Sequence, residues 1–206
     1  MLNKWNLPAM TNRPLKNAAL GLALSFAVSV SLGASIAHAA SSPPEASSSY
    51  TAEQASMLGG KFSFNIPAGY AKDPNPLDPR AIAMGAKGAS YLSTAEKSLL
   101  ITAQMPLLVD ADSDDDDFTL SAIVKGTELE QSSSYKDFKK LGEKSVLKAN
   151  GLGLRQLDTS FNLGGKQMLA TSVVAASSTQ SAVVTVLTNA DNPKAHAALV
   201  NTVIGE

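Results

Sequence analysis

The C-terminal third of the chain limits the fold most. Three strand-like runs follow one another there, "GLRQLDTSFNL", "KQMLATSVVAAS" and "SAVVTVLTN". Gly164-Gly165 predicts a tight hairpin between the first two, and Ser178-Thr179-Gln180 predicts a second turn. The last two runs are apolar at adjacent positions, Val173 with Val174 and Val183 with Val184. Neighbouring side chains of a strand point to opposite faces, so both faces of this sheet need cover. One cover follows at once. Asn192 is a good N-cap, Pro193 fits the first helical position, and Leu199, Val200, Val203 and Ile204 form a stripe to the C-terminus.

Upstream, "KFSFNIPAGY" alternates Phe62, Phe64 and Ile66 with polar neighbours, the period of a half-buried strand, and Pro67 and Gly69 stop it. "KDPNPLDPR" (residues 72–80) holds three prolines and reads as an irregular loop. "ASYLST" and "SLLITAQM" predict two strands joined by Ala95-Glu96-Lys97. Leu120, Ile123, Val124 and Leu129 then recur at near-helical spacing, which predicts a helix over residues 117–130, weakened by Gly126. Between residues 136 and 148, Lys136, Lys140, Lys144 and Lys148 share a face under either period. Gly142 and the Asn150-Gly151 stop favour a strand, at an edge where lysines discourage pairing with another chain. The whole is an α+β fold around a mostly antiparallel sheet.

The N-terminus addresses the protein. Lys4, Arg13 and Lys16 precede an uncharged stretch over residues 18–36, and "AHAA" supplies an A-x-A cleavage site, the layout of a secretory signal peptide over residues 1–39. Met10 begins a shorter leader of the same kind. Residues 40–56, "SSPPEASSSYTAEQAS" for the most part, read as a flexible tether, and residues 57–206 as one domain. Three of the 17 basic residues and none of the 18 acidic ones fall in the leader, so the remainder carries a formal charge of −4. That balance opposes an electrostatic nucleic-acid binder. With no cysteine the fold stands on packing alone, and neither a disulfide nor a cysteine-linked lipid anchor is available. Periplasmic localisation without a transmembrane anchor after cleavage is the expectation.

"DADSDDDDF" puts six aspartates into nine residues. Asp110, Asp112 and Asp114 match the opening of an EF-hand loop, but Asp115 and Ser121 stand where the Gly and the bidentate Glu belong. A looser calcium site on those three aspartates is the residual metal reading. A solvated acidic loop is the plainer one, with acids opposing the positive end of the next helix. Downstream of the leader His196 is the only histidine, and it borders the apolar stripe of the last helix. A structural role is therefore expected for it, and a Ser-His-Asp machine or a zinc site lacks parts. "GLGLRQ" has Gln156 where a dinucleotide fingerprint needs its third Gly, so it reads as a turn. Tyr70, Arg80, Lys136, Lys140 and Lys144 remain as a candidate partner surface.

The strand "FSFNIPAGY" with its Ile-Pro-x-Gly-aromatic end (residues 66–70), followed by hairpins, a Gly-led strand pair and a short final helix, resembles the DcrB and PsbP/Mog1-like group over residues 57–206. Tyr70 stands where the group often has Trp, and the lipid-anchoring cysteine of DcrB is absent. Eag-type chaperones share the fold but are cytoplasmic, unlike a chain with this leader. The resemblance implies a three-layer α/β/α sandwich and a non-catalytic, envelope-associated accessory or binding protein without a cofactor, whose partner is an unidentified envelope component. The alternatives are an exported hydrolase using carboxylates or a Ser/Lys pair, and a calcium-responsive secreted protein using residues 110–117.

Overall fold

A computed structural model describes residues 53–205 apart from Pro76 and Asp78. The leader and residues 40–52 of the tether lie outside the described residues. Gly164 and Gly165 take φ of 59° and 82°, a left-handed pair that only glycine adopts freely, and so fold β7 (Gly153–Leu163) back on β8 (Lys166–Ser177). A turn at Ser178-Thr179 sets β9 (Gln180–Asn189) against β8. β5 (Ser98–Pro106) closes on the other side of β9. β4 (Lys87–Ser93) and the two-residue β3 (Ala71–Lys72) follow, and β6 (Lys136–Leu147) forms the far edge. The sheet runs β3-β4-β5-β9-β8-β7-β6, antiparallel throughout.

Adjacent residues of β8 are buried on opposite sides. Val173 and Ala175 pack with Leu154, Val184 and Val186 under Leu199, Val200, Val203 and Ile204 of α3 (Pro193–Ile204). Val174 and Ala176 pack with Leu157 and Val183 under Leu120, Ile123 and Val124 of α2 (Asp117–Ser134). Each valine, leucine and isoleucine among them contributes about 1.5–3 kcal/mol when removed from water, so neither helix is dispensable. Asn192 caps α3 through Ala195 N–H, Pro193 opens the helix, and Gly205 ends it in the left-handed region. α2 continues through Gly126 to Ser134, four residues beyond the expected end, because Thr127, Glu130 and Gln131 still face the sheet. No helix among the described residues is long and apolar enough to cross a membrane.

The rest of the chain departs from expectation in three places. β1 (Glu53–Met57) begins inside the stretch assigned to the tether and pairs in register with β2 (Phe62–Ile66). This hairpin lies on the α3 face, where Phe62, Phe64 and Ile66 join its core. Its pairing partner, not its own composition, makes residues 53–56 a strand. The Pro-rich stretch is a loop only as far as its end, since α1 (Pro79–Ala83) starts at the third proline and packs Ala81 against Ile101 and Met105. The lysines do not share a face. Bulges between Lys136 and Lys139 and between Lys140 and Gly142 shift the register, and an odd insertion reverses which side the next residues meet. Lys140 reaches Glu128 on α2 at 3.2 Å, whereas Lys148 donates to Ile204 C=O at the end of α3 at 2.7 Å.

The aspartate loop is pinned where it crosses Gly153. Gly153 N–H donates to Asp114 C=O at 2.9 Å, and a Cβ on Gly153 would stand 2.8 Å from Asp115 Cα. Gly153→Ala therefore displaces the loop's backbone, with an expected stability loss of about 1–3 kcal/mol in urea denaturation. An unchanged midpoint would contradict so close an approach.

Candidate functional site: a cleft beside His196

Between α3 and the β6-β7-β8 end of the sheet lies a cleft of about 340 Å³. Lys144, Gln156, Asp158, Thr171, His196 and Asn201 supply its polar groups, and Leu141, Leu169 and Val200 part of its apolar wall. Strand alternation brings these residues together: Gln156 and Asp158 continue the α3 side of β7 beyond Leu154, and Thr171 precedes Val173 on β8.

The hydrogen bonds through His196 have one consistent direction. Thr171 Oγ1 lies 2.6 Å from Asp158 Oδ1, and an ionised carboxylate only accepts, so the hydroxyl proton points to Asp158. Thr171 Oγ1 then accepts from His196 Nε2–H at 2.8 Å. With its proton on Nε2, His196 Nδ1 accepts from Thr188 Oγ1 at 2.9 Å. Gln156 Nε2 completes the chain by donating to both oxygens of Asp158, at 2.8 and 2.9 Å. Both ring nitrogens of His196 are consumed, and the ring is 9% exposed. Burial holds its pKa below the ordinary value, and the Asp158 charge opposes that shift without cancelling it. The structural role expected for His196 is what its surroundings give it.

The other residues singled out by sequence are scattered. Tyr70 is not a surface residue: it is buried, its hydroxyl is 2.5 Å from Ser98 Oγ, and burial raises its pKa. The short β3 follows it directly and folds its ring into the hairpin's core, which no local pattern predicts. Arg80 is the second residue of α1, and its side chain lies outside the described residues. Lys136 is exposed at the start of β6. Lys140 ties β6 to itself and to α2 through Glu143 and Glu128, and these partners raise its pKa, the Glu143 hydrogen bond foremost. Of the five, Lys144 alone lines the cleft.

Asp110, Asp112 and Asp114 do not converge, and no group of three metal-ligating side chains forms among the described residues. Asp114 turns inward to Lys61 Nζ at 2.7 Å and Ser177 Oγ at 2.7 Å, and these two hydrogen bonds lower its pKa. Asp116 is the N-cap of α2, accepting from Phe118 N–H and Thr119 N–H. Asp117 pairs with Arg155. Asp110 and Asp112 stay exposed. The loop is thus a tethered helix entrance and less solvated than expected.

Lys61 Nζ also lies 2.9 Å from Ser177 Oγ, a serine–lysine contact of the kind a hydrolase uses. A general-base lysine has to be neutral. Here Lys61 is ion-paired with the Asp114 carboxylate, and Ser177 sends its own proton to Asp114 rather than to the lysine. The arrangement holds the hairpin to β8; it does not activate an oxygen.

Compared by sequence, neither a family model nor a curated protein matches the chain. Compared by structure, it is similar to the cyanobacterial PsbP, CyanoP, of Synechocystis, with a TM-score of 0.51 at 15% identity, over 81% of this chain and 95% of that one. LpqN of Mycobacterium tuberculosis, described as involved in cell envelope biogenesis, aligns over 76% of this chain and 88% of its own, at 12% identity and a TM-score of 0.46. The fold is PsbP-like, as the resemblance of residues 57–206 implied.

A neutral His196 gives the cleft a signature in stability. Its folded pKa lies below the unfolded value of about 6.5, so its contribution is full above that pH and is lost as pH falls towards the folded pKa. His196→Gln should cost about 1–3 kcal/mol at pH 7.5 by removing hydrogen bonds from Thr171 and Thr188. Its deficit should shrink in urea denaturation as the pH falls below about 6.5. A deficit that grows on acidification would mean the ring is bound as a cation.

Proposed function

We propose that the protein is a non-catalytic accessory or binding protein of the cell envelope, of the DcrB-like type. It is exported to the periplasm and built as a three-layer α/β/α sandwich. The observation that carries the reading is the state of His196. It is the only imidazole among the described residues, and both its nitrogens are spent on threonines inside the fold. A general base needs a free nitrogen within reach of a substrate proton, and this ring offers none. The same network ends in a cleft, which is suited to holding a ligand.

The Ser/Lys alternative rests on the contact between Lys61 and Ser177. It requires Ser177 to react with a fluorophosphonate probe. The proposal expects no labelling at Ser177, and stoichiometric labelling lost in Lys61→Met would replace it with a hydrolase. The calcium alternative would have to draw Asp114 away from Lys61.

Export is tested on the cell. Osmotic-shock release followed by intact-mass measurement should give a chain starting at Ala40 or Ser41, in the periplasmic fraction. A mass that retains residues 20–36 in the membrane fraction would overturn the localisation.

A further inference from the structure

The cleft beside α3 holds three polar groups whose bonding is incomplete. Asp158 receives only neutral donors, Gln156 Nε2 and Thr171 Oγ1, and forms no ion pair among the described residues. Lys144, opposite Gln156 across β6 and β7, likewise forms none, although it lines the same cleft. Gln156 is 6% exposed, and its Oε1 is the one buried side-chain oxygen or nitrogen without a hydrogen bond among the described residues. Turning the amide over would not help, because Oε1 would then face the Asp158 carboxylate. A buried acceptor left without a donor is costly, and a carboxylate and an ammonium that share a cleft without pairing leave both charges open to a third body.

We infer that this cleft binds a small zwitterion carrying an aliphatic side chain, a free α-amino acid or a short peptide with the same groups. The ammonium supplies donors to Asp158. The carboxylate pairs with Lys144, beside the Asn201 side chain at the cleft wall. The aliphatic part covers Leu141, which is 55% exposed, and Leu169. A volume of about 340 Å³ suits a ligand of that size. His196 acts behind this surface as a positioning residue, because it holds Thr171, whose hydroxyl lies 2.6 Å from Asp158 Oδ1. The inference rests on the binding reading above and names the ligand class for it.

Isothermal titration of the purified protein tests it with four probes: leucine, dileucine, leucinamide without the carboxylate, and 4-methylvalerate without the ammonium. Leucine, dileucine or both should bind, and which of them does so identifies the source. Leucinamide and 4-methylvalerate should bind at least about tenfold more weakly. Lys144→Gln, a change at an exposed side chain, should weaken the zwitterion about tenfold and leave leucinamide unchanged. Asp158→Asn should weaken both, with its melting temperature as the folding control. No heat from leucine or dileucine up to about 10 mM would overturn the inference, as would binding indifferent to Lys144→Gln. Either failure leaves the export result untouched, so the two readings fall separately.

Discussion

Everything in this fold follows from β8 and β9 being apolar on both sides. Val173 and Val174 are adjacent and fully buried, and strand geometry sends one to each face. A sheet with a single covered face would leave one of them in water, so α2 and α3 are equally necessary. Apolar burial is non-directional, however, and does not say which helix lies where along the strands. Buried polar side chains do. Gln131 of α2 donates to Ser172 and accepts from Thr159 on one face, while His196 of α3 engages Thr171 and Thr188 on the other. Each is costly if misplaced by a turn, so each fixes the seating of its helix.

The ends of the elements are held by charge. Lys61, Asp114 and Ser177 join the β1–β2 hairpin, the aspartate loop and the end of β8. Lys148 meets the last carbonyls of α3, where the helix dipole favours a cation. The acidic run is therefore divided: Asp114, Asp116 and Asp117 hold the fold's own donors, Asp115 accepts from Ser113 within the loop, and Asp110 and Asp112 stay exposed.

Much of this is legible locally. The hairpin at Gly164-Gly165, the edge strand of lysines, the capped last helix and the demand for cover on both faces all come from periodicity and turn chemistry within a few residues. The misreadings are non-local. Residues 53–56 look like tether because only β2 makes them a strand. Tyr70 looks exposed because its hydroxyl's partner, Ser98, lies 28 residues away. The lysine face is split by bulges that period-two counting ignores. The cleft had a weak local signal, since Gln156, Asp158 and Thr171 are polar at positions that the runs around them fill with buried residues. Only the packing of α3 shows that these positions meet.

The sealed, neutral His196 is central, because both its ring nitrogens are engaged and it holds Thr171, the hydroxyl that meets Asp158. Nitrogen-15 NMR of a chain lacking residues 1–39, in which His196 is the only imidazole, reads it directly. At about pH 7.5, above the ordinary histidine pKa, the spectrum should show a neutral ring protonated at Nε2. A ring protonated at Nδ1, or an imidazolium at that pH, would contradict the hydrogen-bond order on which the site depends.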